Sequence, residues 1–135
     1  MLPDWILKLK ELESSKDKLS GSDLSNAKLM RGQFSGANLK DADLSGAYLI
    51  QANLSGAELS NADLTRAVLS EADLSAANLE DADLSDTFLH GANLKDVSNL
   101  TCDQLESAKL DKETILPSYI QISWINDELF DCEEI

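Results

Sequence analysis

Leu or Phe occupies every fifth position from Leu19 to Leu94, sixteen consecutive times, with Phe34 the one ring among the leucines. Two residues before each stands a small residue, Ala in most units, with Gly32, Ser22 and Thr87 as variants and Asp17 as the exception. An α-helix buries positions three and four apart and a flat strand buries every second residue, so a strict five-residue interval fits neither. Inward positions separated alternately by two and three residues describe a short extended piece, whose i and i+2 side chains share a face, followed by a corner. Repeated corners wind the chain into a coil.

The residue before each Leu tells how many corners close one turn. In every second unit it is acidic or an amide: Asp23, Gln33, Asp43, Asn53, Asp63, Asp73, Asp83 and Asn93. In the intervening units, positions twenty apart agree again. Tyr48, Val68 and Phe88 are bulky and apolar after Lys28, whereas Lys18, Asn38, Glu58 and Asn78 stay polar. A spacing of fifteen mixes the classes, as Asp43, Glu58, Asp73 and Phe88 show. Four five-residue sides per turn is the supported period.

Units such as Ala42-Asp43-Leu44-Ser45-Gly46 and Ala52-Asn53-Leu54-Ser55-Gly56 closely resemble the pentapeptide-repeat family, with its pattern A-(D/N)-L-x-x. The resemblance covers residues 19 to 97, about 60% of the chain. It implies an all-β solenoid, a right-handed quadrilateral parallel β-helix with the central Leu and the preceding Ala pointing inward. At roughly 4.8 Å per coil, about four coils would make a prism about 19 Å tall. The interior is then a stack of Leu ladders, each coil burying its neighbour. Gly32 stands where Ala is usual and makes room for Phe34.

Such a coil exposes backbone groups at both ends and needs caps. In residues 1 to 18, Leu2, Trp5, Ile6, Leu9 and Leu12 share one helical stripe, which predicts an amphipathic capping helix. The register fails after Leu94, because the next small position is Val97 and the next central one Asn99. From residue 98 a C-terminal cap is expected, opened by Thr101 and Gln104 as a capping box for a short helix. Its end, residues 118 to 135, mixes apolar and acidic side chains and must pack somewhere.

Composition excludes several functions. With 25 acids against 11 bases the net charge is −14, which argues against direct nucleic-acid binding. One His, and no nucleophile, phosphate-loop or metal-ligand spacing, leaves no catalytic set and no cofactor or metal site to predict. His90 is the sole candidate base, and its place after Leu89 puts it on the solvated surface. Cys102 and Cys132 match no zinc or redox spacing, so two unpaired, partly buried thiols are expected. The first residues carry an acid at once and no apolar signal core, and no stretch is long enough to span a bilayer; a soluble cytoplasmic protein is expected.

Two surface features are candidate sites. Asp23, Asp43, Asp63 and Asp83 should stack as an acidic ladder, whose repulsion a basic partner or cations would relieve unless each carboxylate bonds to nearby backbone. Tyr48, Val68 and Phe88, with Met30 and Ile50 nearby, should form an apolar stripe. Either a partner covers that stripe, or a second copy does, or residues 118 to 135 fold back onto it, the arrangement their apolar content favours. The expectation is a non-enzymatic protein-interaction scaffold, a monomer or weak homodimer with an unidentified protein partner. The alternative is a DNA mimic that binds a basic DNA-processing enzyme such as gyrase, as in the quinolone-resistance branch of the family. Residues 19 to 96 carry twelve acids and five bases, against roughly 11 charges on a duplex of that length.

Overall fold

A computed structural model describes residues 1–135. Its body is a solenoid in which residues twenty apart pair in parallel, from Asp23 with Asp43 to Asn78 with Ser98. The pairings form four columns, running through Asp43, Tyr48, Asn53 and Glu58. Each contact is a single bridge rather than a long strand, because only two or three residues stay extended before the chain turns.

The turn explains the interval of five. The N–H of each small residue donates to the carbonyl of the Leu three before it, as Ala47 does to Leu44 at 3.0 Å. Two residues after each of the sixteen central positions, from Gly21 to Asp96, φ lies between 54° and 69°. That is the left-handed residue of a type II turn. Only five of these residues are Gly. Asn and Asp tolerate the conformation, but Arg31, Gln51, Arg66, Glu71 and Ala76 adopt it against their preference. The neighbouring rungs hold them there: Gln51 donates its N–H to the Ser70 carbonyl at 3.0 Å, and Ala76 to that of Lys95 at 2.9 Å.

The central leucines and the small residues share one buried apolar cluster, in which Leu54 and Leu64 expose nothing. Full burial of each Leu is worth roughly 1.5–3 kcal/mol. Two of the three variants at small positions, Gly32 and Thr87, have local reasons. A Cβ on Gly32 would collide with the Phe34 ring and lie 2.9 Å from the Leu29 carbonyl oxygen, so the pair is a packing compensation. Thr87 is fully buried, and its hydroxyl donates to the Leu64 carbonyl at 2.7 Å.

At the start, helix α1 (Asp4–Ser14) and a 3-10 turn (Lys16–Lys18) lie against the first rung. Leu9 joins the core, with Trp5 and Leu12 packed on it, whereas Leu2 is 47% exposed. The buried stripe is therefore narrower than expected. In place of the missing rung below, the Glu13 carboxylate accepts the Gln33 N–H at 2.7 Å and the Lys16 carbonyl accepts that of Asn38 at 2.9 Å.

At the other end the ladder runs past residue 98 in two columns, where Lys109 pairs with Phe88 and Ile115 with Asn93. With one extra residue before Lys109, this turn holds helix α2 (Cys102–Glu106), which opens with the expected capping box of Thr101 and Gln104. Gln104 also donates its amide nitrogen to the carbonyls of Leu79 (2.8 Å) and Ala82 (3.0 Å), substituting a side chain for the next rung. Asp111 does likewise with its carboxylate, which accepts the Gly91 N–H at 3.0 Å.

Residues 118 to 135 are an antiparallel hairpin of β1 (Ile120–Trp124) and β2 (Phe130–Glu134). Ile120 enters the core, and Ile122, Trp124, Phe130 and Cys132 pack against it in part. The Tyr119 hydroxyl donates to the Val97 carbonyl at 2.6 Å and accepts the Leu100 N–H at 3.1 Å. Cys102 and Cys132 are joined by a disulfide, with Cα atoms 5.6 Å apart, which corrects the expectation of two free thiols. The two cysteines are thirty residues apart, and only the return of β2 past α2 brings them together.

Candidate functional site

The acidic ladder forms as expected, with Asp23, Asp43, Asp63 and Asp83 bridged in one column. Its carboxylates are engaged locally. Each Oδ1 accepts the backbone N–H two residues on, from Ser25, Ser45, Thr65 and Ser85 at 2.9 to 3.1 Å. The hydroxyls of Ser25, Ser45 and Thr65 donate to the same atom. Asn53 and Asn93 serve their own turns in the same way, so the position selects a short acceptor side chain rather than a charge. Hydrogen bonds from the Ser25 side chain and backbone hold Asp23 below the usual carboxylate range, and those of Ser85 do so for Asp83. No group of three or more His, Cys, Asp or Glu is arranged to hold a metal ion.

The apolar stripe is the other column. Tyr48, Val68 and Phe88 pair rung to rung, bounded by Lys28 at one end and Lys109 at the other. Tyr48 is 44% exposed and Ile50 36%, while Met30, Val68 and Phe88 are half-buried. The hairpin packs on the end of the solenoid, so it does not fold back along the stripe as its apolar content suggested. Its side chains are used up by the terminal rung, which the sequence alone could not place. Only the hairpin turn approaches the stripe, where Asp127, Glu128 and Leu129 face Phe88, His90 and Lys109 across an open groove of about 460 Å³.

Phe88 has two partners that the repeat pattern does not assign to it. His90 stacks on it with ring centroids 6.1 Å apart, and the Lys109 ammonium lies 5.6 Å from the ring centroid. His90 is thus half-buried rather than free on the solvated face. Lys109 was hidden because α2 displaces it by one residue from the period of twenty. Beside the stripe a polar file runs up one edge: Arg31 donates to Gln51 at 2.9 Å, and Gln51 to Glu71 at 2.8 Å. Near its top, burial raises the Asp111 carboxyl, but the N–H of Gly91, the Thr114 hydroxyl, the Glu113 N–H and the charge of His90 outweigh it and hold the group low.

No helix is long and apolar enough to cross a membrane. No curated protein matches the chain. Solved structures do. HetL, a pentapeptide repeat protein involved in heterocyst differentiation regulation from the cyanobacterium Nostoc sp. strain PCC 7120, is 35% identical, with a TM-score of 0.61 over 70% of this chain. The match spans 44% of HetL. A pentapeptide repeat protein of the cyanobacterium Cyanothece 51142 is 37% identical over 67% of this chain and 64% of its own, with a TM-score of 0.48. One from the thylakoid lumen of Arabidopsis thaliana is 25% identical over 84% of this chain and 74% of its own, with a TM-score of 0.46. A family profile described as Pentapeptide repeats (8 copies) matches overlapping segments from residue 18 to residue 110. With the five-residue interval, the left-handed turns and the period-twenty bridges, this profile match shows that the chain belongs to the pentapeptide repeat family.

Proposed function

We propose that this chain is a non-enzymatic interaction scaffold, a right-handed quadrilateral β-helix of about four coils, closed at both ends, whose Tyr48–Val68–Phe88 stripe receives a protein partner. The observation that carries this reading is the exposure of Tyr48, and of Ile50 beside it, at the lower part of the stripe, which the hairpin does not reach. The large apolar side chains of the repeats outside this stripe are buried. Lys28, Arg31, Arg66 and Lys109 alternate around the stripe with Glu71, Asp86, Asp127 and Glu128, a mixed surface that points away from the uniformly anionic rod that a DNA mimic of gyrase's substrate requires.

The test is capture from native lysate by the intact chain and by a Tyr48→Ser/Phe88→Ser variant, with a melt of each to confirm the fold. A stoichiometric protein held by the first and lost by the second is the expected result. Retention of the same protein by the folded variant would show that the partner surface lies elsewhere. An outcome in which only double-stranded DNA-processing enzymes are held, through the Asp23–Asp83 column, would favour mimicry.

A further inference from the structure

The hairpin sits on the end of the prism without joining its ladder. No residue from 120 to 135 bridges a rung. Apart from bonds to the chain just before it, at Pro117 and Tyr119, one hydrogen bond ties it to the rest of the molecule, from the Cys102 N–H to the Glu134 carboxylate at 2.9 Å. One ion pair joins them, Lys112 with Asp127 at 3.7 Å, and both of its side chains lie largely in water. Ile120 is buried in the core, and Ile122, Trp124 and Phe130 pack against it in part. The remaining link is the Cys102–Cys132 bond. We propose that this bond is a redox-operated latch: a dithiol opens it, and the hairpin then leaves the end of the prism while the repeat body stays folded.

The sulfur atoms are within reach of a reductant. Both cysteines are half-buried, and they line an open groove of about 490 Å³ with Thr101, Asp103, Glu133 and Glu134. One thiolate of the dithiol attacks a sulfur of the bond and forms a mixed disulfide with it, and the other cysteine leaves and takes up a proton. The second thiol of the reductant then displaces the mixed disulfide and frees the remaining cysteine. Two electrons and two protons have passed to Cys102 and Cys132, and the dithiol has become a disulfide.

Once the bond is open, little holds the two sides together. Helix α2 carries Asp103 and Glu106, strand β2 carries Asp131, Glu133 and Glu134, and neither element contains a base. The latch therefore joins two segments of like charge, which repel each other modestly in water. Lys109 and Lys112 meet the hairpin at its turn, where Asp127 and Glu128 face them, so they do not offset the acids beside the sulfurs. An exposed pair such as Lys112–Asp127 contributes little. A two-stranded hairpin is also marginal by itself. The repeat body loses no rung when the hairpin leaves, because its backbone bonds run between coils. The end of the apolar core is then uncovered, so the surface offered there depends on the thiol state.

The test treats the oxidised full chain with dithiothreitol in native buffer and follows alkylation of free thiols together with amide exchange. Both cysteines should alkylate without denaturant. The Cys102 and Ile125 amides should exchange on the order of a hundredfold faster, those of Leu54 and Leu64 should not change, and reoxidation should restore the slow exchange. A Cys102→Ser/Cys132→Ser variant should show the fast exchange from the start and ignore the dithiol, which separates the latch from any other effect of the reagent. A bond that yields only in denaturant would overturn the proposal, as would a reduced chain whose hairpin amides stay as protected as before. Equal loss of protection at Leu54 and Leu64, or a double variant without a cooperative melt, would make the bond a staple of the whole fold and overturn it too.

Discussion

The repeat body and the C-terminal segment solve the same problem by opposite means. In the body, every rung satisfies its neighbour with backbone alone, so one local rule, repeated, builds the whole. Beyond Ser98 the backbone ladder continues only at Lys109 and Ile115, and other groups are served by single devices: the Gln104 amide, the Tyr119 hydroxyl, the Asp111 carboxylate and a disulfide. Repetition spreads stability over equivalent contacts, whereas the end concentrates it in a few unique ones. The body should therefore fail all at once, and the end by itself.

The largest effect expected is in the body. Leu64→Asp places a carboxylate where no surface is exposed, at a cost of several kcal/mol against a usual total of about 5–15. Loss of the cooperative melt is expected, whereas Leu129→Asp, at a residue 59% exposed in the hairpin turn, should leave it nearly unchanged. A Leu64→Asp variant melting near the parent temperature would contradict the shared core.

Opening the disulfide comes next. Cys132→Ser removes a closure thirty residues apart in sequence, worth roughly 3–4 kcal/mol on loop-entropy grounds. The loss should be local. Trp124, packed edge-on against Phe130 at 5.4 Å, should become open to a soluble quencher while amide protection at Leu54 and Leu64 persists. Protection lost equally in both regions would mean that the two are one cooperative unit. Thiol alkylation in the native cell would also test the cytoplasmic placement, which expects both cysteines to be reduced.

A smaller effect of opposite sign is expected at a corner. Ala76 holds φ at 60°, so Ala76→Gly should stabilise the chain by roughly 0.5–1 kcal/mol, less than the left-handed penalty because the unfolded Gly is freer. A lower melting temperature for Ala76→Gly would show that the neighbouring rungs, not the turn, set its energetics.

The smallest is the dependence on acid. Asp23, Asp83, Glu58 and Asp111 are held below their ordinary values, from 3.8 for Asp and 4.5 for Glu. A depressed carboxyl contributes stability that is present above its unfolded value and lost as pH falls through the folded one. The melting temperature should therefore be flat from pH 7 to about 5 and decline below about 4.5. Asp83→Asn should keep its turn, as Asn53 does, and soften that decline. A steeper decline in Asp83→Asn would reverse the assigned sign.

How far each region was legible depends on the range of its contacts. The interval of five, the period of twenty, the inward Leu and Ala, the Gly32–Phe34 compensation and the Thr101–Gln104 box all depend on residues whose partners recur at a known spacing. The apolar stripe was legible for the same reason, since Tyr48, Val68 and Phe88 are three readings of one position. Lys109 and the Cys102–Cys132 bond were not, because the segment containing α2 breaks the period, one extra residue standing before Lys109 and a second between Lys109 and Ile115.

By itself, then, the sequence determined the solenoid and its four side-chain columns, because each rung is read against an identical neighbour. Only the tertiary structure decided where residues 118 to 135 go and which surface they leave open. A hairpin of apolar and acidic residues could lie on the stripe or on the end of the prism. On the end of the prism Ile120 enters the core, the Tyr119 hydroxyl satisfies the Val97 carbonyl and the Leu100 N–H, and the disulfide ties β2 to α2. The stripe, its own backbone already paired, offers no such demand, and it stays exposed.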